Sequence, residues 1–410
     1  MVSSVRLIDA FSARTGIVRS LSFLDRGATE PTPPWICNAT LANFDFRRAA
    51  PMERAAAGKG ATEEDARNAA IAEALERYCG FQGRAEAFAR TTASEAGDGA
   101  ISPGRFVLFS DAQYAQPQFP YRRFDPTERI AWVRGHSLCE RREVLIPAVF
   151  VYLNHFEDRL APPDSSGLAA GPDLESAILG GLYELIERDA FTVTWMCRRP
   201  ADRVDVDALS VVDRAIVRHY RLSGIETRVW RLPSDQPAAI MMAASIDRSG
   251  NGPAAVVGLG CHLDPAIAAR KALFELCQVR PGVPKDAGAR FSNPGEVRTL
   301  EDHAEYFADA SRLSEFDFLD RGGAADLTSR ATGSVGGDIR LLSDSLASAG
   351  CAVAYTDVTL PDLRDLPIRV ARVVAAGLQP IHFGAGMERL GGKRLTCPEA
   401  DLNPCPHPLA

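Results

Sequence analysis

The chain has 410 residues, of which 46% are hydrophobic and 24% charged, with a formal net charge of -7. That is a globular composition with material for a sizeable core. The acidic balance runs against a nucleic-acid partner, and no apolar run reaches the roughly 18 residues of a membrane span.

In chain order, residues 1–50 read as short strands and turns: 4–17, 18–24, a proline-rich turn at 31–34, and an apolar stretch at 35–46. A Gly58-Lys59-Gly60 turn precedes a helix over 62–79, with Thr62 as N-cap and Glu63, Glu64 and Asp65 at the positive end of its dipole. Residues 100–160 alternate turns with strand-like runs at 129–133 and 144–153. A second helix runs over 173–198, after a Ser165-Ser166-Gly167 turn. Buried strands at 238–246 and 254–259 lead through Gly258-Leu259-Gly260 to a third helix, capped by Asp264 with Pro265 at its first position and ending near Pro281. Residues 281–300 read as loop, 300–320 and 339–349 as helical, 322–337 as flexible, and 353–359 and 370–375 as strands. Alternating prolines hold the tail 403–410 near polyproline II. Without a clean linker, the expectation is one mixed α/β domain of the α+β kind. A β-rich segment 1–55 packs on a domain 56–410.

Nine dispersed cysteines form no C-x-x-C pair, and seven histidines no H-E-x-x-H. A zinc ribbon or disulfide scaffold is therefore not expected, and reduced cysteines in a cytoplasmic protein are. The start lacks the apolar segment of a secretory signal.

The informative feature is repetition. Glu73-x-x-Glu76-Arg77 and Glu184-x-x-Glu187-Arg188 stand late in the first two helices, and Glu275-x-x-Gln278-x-Arg280 is their variant in the third. Side chains three apart share a helix face. Their neighbours are mostly apolar, so these faces are expected to be buried. Buried carboxylates need a compensating cation, and Mg²⁺ takes hard oxygen ligands while bridging phosphates. The small-residue turns before each helix let backbone N–H groups approach an anion, with Lys59, Ser165 and Ser166 adding contacts. No Walker A loop is present. A single E-x-x-E-R is ordinarily a solvated salt-bridge face, a reading that three related copies on apolar helices displace. Arg77 and Arg188 suit phosphate contacts or neighbouring acids equally well. Lys59 alone also suits a surface lysine.

These segments, with Ser165-Ser166-Gly167-Leu168-Ala169-Ala170-Gly171, Asp302-His303-Ala304-Glu305-Tyr306, Gly377-Leu378-Gln379-Pro380 and the tail Asn403-Pro404-Cys405-Pro406-His407-Pro408, resemble the signatures of YcaO-domain proteins from about residue 50 to the C-terminus. The resemblance implies an ATP-binding fold in which Glu73, Glu76, Glu184 and Glu187 hold Mg²⁺. Lys59, Arg77, Ser165, Ser166, Arg188, Arg198, Glu275, Gln278 and Arg280 would surround the nucleotide, with Arg199 as an alternative to Arg198. The P-x-P-x-P tail resembles that of azoline-forming cyclodehydratases. It implies that Pro404, Pro406, His407 and Pro408 approach the reacting centre, with His407 either a base or a spacer. Leu409 and Ala410 follow the motif here. The family's serine four residues before the first glutamate is replaced by Ala69 and Gly180.

The implied reaction converts Cys, Ser or Thr of a ribosomal precursor peptide to thiazoline or oxazoline through phosphorylation of the backbone amide oxygen by ATP. Thioamide or amidine formation and a non-catalytic nucleotide-binding accessory are the alternatives. Implied partners are the precursor peptide, a ThiF-like leader-binding protein, an FMN-dependent azoline dehydrogenase and a second copy in a homodimer.

Overall fold

The computed structural model describes residues 6–42, 54–81 and 88–409. In chain order the elements are β1 (Val18–Phe23), β2 (Trp35–Leu41), β3 (Ala55–Gly60), α1 (Glu63–Gly80), β4 (Ala89–Thr91), the one-turn α2 (Ala93–Ala96) and α3 (Asp111–Tyr114), β5 (Ile130–Ser137), β6 (Glu143–Pro147), β7 (Leu168–Gly171), α4 (Leu174–Met196) and β8 (Asp202–Arg203). Then come α5 (Val211–Leu222), β9 (Glu226–Leu232), β10 (Ala239–Ile246), β11 (Ala255–His262), α6 (Pro265–Val279), α7 (Leu300–Tyr306), α8 (Val335–Ser348), β12 (Ala352–Asp357) and β13 (Arg369–Ala376).

The strands form three antiparallel sheets, ordered β1-β2-β3, β11-β10-β9-β8 and β4-β5-β12-β13-β7, with β6 paired to β5. Cys37 faces Gly58, Met242 faces Leu259, and Ala371 faces Ala169 in register. Helix α1 fills the space between the first sheet and the largest one: Ala70, Ile71, Ala74 and Leu75 pack with Cys37, Ala39, Ile130 and Val374. Helix α4 lies between the largest sheet and the four-stranded one, with Ile178, Leu182 and Ile186 among Trp230, Met242, Ala371 and Val373. Helix α6 covers the other face of the four-stranded sheet, where Ala268, Ala272 and Leu273 meet Met241 and Ala243. Strand β10 is therefore buried on both faces along its whole length, as its continuous apolar run requires.

The helix starts follow the sequence. The Thr62 hydroxyl accepts from Asp65 N at 3.1 Å, the Asp173 carboxylate from Ser176 N at 2.7 Å, and Asp264 from Ala266 N at 2.9 Å. Two of the expected turns are strands instead. Gly58-Lys59-Gly60 ends β3, and Gly258-Leu259-Gly260 lies inside β11. Their glycines serve close packing. A Cβ on Gly58 would run into the α1 backbone at Ala70 N, and one on Gly258 into the α6 backbone at Leu276 N. The first expected strand is also corrected: within 6–17 the chain forms a 3-10 turn, Leu7–Ala10, and irregular segments. Residues 1–5 and 43–53 lie outside the described residues. Helix α5 and strand β9 were not anticipated.

One cysteine pair overturns the expectation of nine reduced thiols. Cys197 at the end of α4 is joined to Cys397 in a disulfide, 200 residues apart in sequence. No spacing motif could have signalled that pair.

Candidate active site

Three of these units share a plan: a small-residue strand runs into a helix that folds back on it, as β3–α1, β7–α4 and β11–α6. Their helices turn the E-x-x-E or E-x-x-Q faces toward one cleft of about 540 Å³. Glu73, Glu76 and Arg77 enter from α1, Glu184, Glu187 and Arg188 from α4, and Lys271, Glu275 and Gln278 from α6. Lys59 on β3, Ser165, Tyr183 and Leu409 complete the wall. Ala69 and Gly180 line it as well, so the missing serine hydroxyls would have faced this space.

The side chains are cross-tied. Lys59 Nζ stands 3.1 Å from Glu275 Oε2, joining β3 to α6. Arg188 lies 3.0 Å from Glu184, and Arg77 3.6 Å from Glu73. Backbone N–H groups reach the same carboxylates: Gly167 N donates to Glu184 at 3.1 Å and Ala170 N to Glu76 at 3.2 Å. Even so, negative charge is in excess. Burial, then the charges of Glu73 and Glu184, push the Glu76 carboxyl well above the usual carboxylate range. Burial and the neighbouring Glu275 push Glu187 up to about 8. Burial also raises Glu73, against the pull of Arg77 and Lys59. Buried carboxylates crowded in this way favour a bound cation. Gln278 Oε1 and Arg188 Nε are buried without a hydrogen-bond partner among the described residues. The donor set is all hard oxygen, as Mg²⁺ requires. Among the described residues no three acidic side chains already converge at ligating distance. Mg²⁺ makes no such demand, since it keeps several waters and takes one or two carboxylates together with phosphate oxygens. The residues present fit a magnesium–triphosphate group.

Not every anticipated residue faces the cleft. Ser166 is buried, its hydroxyl without a partner among the described residues, beside a separate cavity of about 60 Å³ that Asp164, Arg372 and Arg389 also line. Arg280, expected near the nucleotide, does not line the cleft. It is buried between Glu30 and Asp247, 3.3 Å from the latter, and clamps the N-terminal segment to the end of α6. Arg198 stands exposed past the end of α4, 3.5 Å from Glu315, and Arg199 bonds Thr396 at 2.8 Å. In the tail, Pro404 and Pro406 line a different groove of about 380 Å³, Pro408 is buried, and among the described tail residues Leu409 alone reaches the cleft. His407 is 1% exposed, its Nε2 donating to His382 O at 2.6 Å. Burial holds its basicity well below that of an ordinary imidazole, which suits a spacer better than a base.

The sequence reading missed several residues. Lys271 sits over the Tyr183 ring at 5.5 Å, and its charge acts on Glu187. It precedes Glu275 by four positions, so helical spacing put it on the same face. Asp164 accepts from Ser166 N at 2.9 Å and is itself held by Arg389 at 3.2 Å and Arg372 at 3.6 Å. That clamp orders the serine loop and left no local signal.

Comparison with known proteins agrees with this geometry. A family model described as YcaO cyclodehydratase, ATP- and Mg²⁺-binding, matches residues 57–379. An uncharacterised protein of Methanothermobacter thermautotrophicus is 30% identical over 348 residues, 82% of this chain and 84% of its own length. An uncharacterised Rhizobium leguminosarum bv. trifolii protein in the tfuA 3′ region is 29% identical over 61% of both chains. Among solved structures, a heterocyclase in complex with substrate and cofactor superposes with a TM-score of 0.82 at 25% identity, covering 98% of this chain. The heterocyclase TruD gives 0.67 at 26% over 84%. This chain spans only 57% and 50% of those two proteins. The YcaO protein of Methanopyrus kandleri, bound with AMPPCP and Mg²⁺, shares the fold, with a TM-score of 0.66 at 23% identity over 88% of this chain and 86% of that one. Four-fifths of the sequence, and the acidic cleft at its centre, therefore place the chain in the YcaO family of ATP- and Mg²⁺-binding cyclodehydratases.

Proposed function

We propose that this chain is a peptide cyclodehydratase that converts Cys, Ser or Thr of a ribosomal precursor peptide to thiazoline or oxazoline, with ATP phosphorylating the backbone amide oxygen. The observation that carries the reading is the meeting of acidic faces from α1, α4 and α6 on one cleft whose wall includes Leu409 of the proline-spaced tail. Glu73, Glu76, Glu184 and Glu187, supported by Glu275 and Gln278, would hold Mg²⁺, which when bound neutralises charge on the phosphates. Lys59, Lys271, Arg77 and Arg188 orient the triphosphate, and the Ser165 loop closes one side. The chain's task is positioning and charge neutralisation, since phosphoryl transfer leaves little covalent chemistry to the protein.

A separate ThiF-like protein would read the leader peptide. The microcin synthetase sharing its fold is described as a multi-subunit complex. An FMN-dependent dehydrogenase would act afterwards, on the azoline.

The test is incubation with ATP, Mg²⁺, partner and precursor peptide. The expected product has lost one water per modified residue, with matching ATP consumption. A product that gains sulfur in place of oxygen would transfer the same site to thioamide formation. No ATP consumption under any pairing would make the chain an accessory subunit.

A further inference from the structure

The tail owes its place to α4. Asn403 N donates to Met196 O at 2.8 Å, and Asn403 Nδ2 to Trp195 O at 3.3 Å. Trp195 Nε1 donates to Cys405 O at 3.0 Å. One turn further back, the His407 ring meets Phe191 edge-on at 5.5 Å, and Leu409 lines the cleft that Glu184 and Glu187 also line. The tail thus descends α4 from its C-terminal end toward the acidic residues. Immediately upstream, residues 391–401 have no strand partner and are irregular apart from one 3-10 turn, with most side chains exposed or half-exposed. Arg394, paired with Asp189 and Asp235, and the Arg199–Thr396 bond hold this stretch, and so does Cys397–Cys197. Cys197 and Cys397 are both half-buried, whereas six of the seven free cysteines are buried.

We propose that Cys197–Cys397 is a reversible thiol–disulfide site that staples the start of the C-terminal tail to α4 and so sets how firmly Leu409 is seated in the cleft. This rests on the proposed reaction only for its effect on turnover. The chemistry is exchange with a dithiol. One thiolate attacks a sulfur of the cystine, forming a mixed disulfide and releasing one cysteine thiolate. The second thiol then displaces the other cysteine. Two electrons and two protons pass to the protein, and the dithiol leaves as its own disulfide. The cross-link fixes Cys397 to the end of α4, and its loss leaves the tail to its hydrogen bonds with α4, Asn403 N to Met196 O among them.

The experiment uses the full chain purified without reductant: one portion is alkylated and digested for disulfide mapping, and another is examined intact by hydrogen exchange with and without dithiothreitol. A cross-linked Cys197–Cys397 peptide is expected, with exchange at residues 398–409 rising on the order of tenfold on reduction and α6 unchanged. Cys397→Ser should show the fast exchange at once and ignore dithiothreitol, while melting as cooperatively as the parent. Peptide modification should fall several-fold in both. Absence of the cross-linked peptide even after treatment with oxidised glutathione overturns the proposal, as does tail exchange that does not respond to reduction. Exchange does not depend on turnover. A chain inert toward ATP would therefore sink the proposed reaction while leaving the staple to be judged on its own readout.

Discussion

At the scale of single residues, the acidic cleft is assembled against its own electrostatics. Glu76 is raised by burial and by Glu73 and Glu184, yet it accepts a hydrogen bond from Ala170 N. Glu76→Gln keeps an oxygen for that bond and removes the repulsion. The unliganded variant is therefore expected to melt at or above the temperature of the parent at pH 8, while ATP turnover drops on the order of 100-fold for want of a carboxylate at the metal. Parallel thermal melts and a phosphate-release assay check both halves; a variant that loses stability along with activity would assign Glu76 a structural role. This combination separates a site carboxylate from a salt-bridge carboxylate, whose neutralisation costs stability.

Elements explain why some of this was legible and some not. The three E-x-x-E-like faces could be read because residues three apart on a helix share a side regardless of tertiary context, and the helix caps because they depend only on neighbours. The G-x-G segments misled, since small residues before a helix suit a turn as well as a strand pressed against that helix. Gly258→Val inside β11 is expected to push α6 off the sheet at Leu276 and destabilise by about 1–3 kcal/mol, measured by denaturant unfolding; an unchanged midpoint would contradict the close approach. The tail has its own sensitivity. His303 Nδ1 donates to His407 O at 2.8 Å, and its Nε2 accepts from Gly384 N at 3.0 Å, so it serves as a neutral imidazole. Burial lowers its pKa from 6.5 to about 4. Below pH 6.5 the unfolded chain binds a proton that the folded chain refuses, so this contribution is intact above 6.5 and lost as the pH falls toward 4. The slope is about 1.4 kcal/mol per pH unit for one such group. Glu187, raised to about 8, works in the opposite sense, so the informative quantity is a difference. The gap between parent and His303→Gln should narrow as the pH drops from 6.5 to 4.5, and a constant gap would remove the histidine from the account.

Across the whole molecule, what escaped the sequence was long-range meeting: Arg280 with Glu30 and Asp247, and Cys197 with Cys397. No local pattern encodes such encounters, because the partners stand far apart in sequence and meet only through the tertiary fold. The hydrophobic cores explain one further property. Helices α1, α4 and α6 each belong mainly to a different hydrophobic cluster, so the cleft lies where the three meet and a ligand bound there ties them together. A ligand that binds only the folded chain stabilises it by about 2.7 kcal/mol at a hundredfold excess over its Kd. Mg²⁺ with a non-hydrolysable ATP analogue should therefore raise the melting temperature and slow hydrogen exchange in all three helices at once. Chelating the metal should reverse both effects, and Glu184→Gln should show neither. Protection confined to one helix would mean that the nucleotide sits on a single unit, and the cleft would then not be its site.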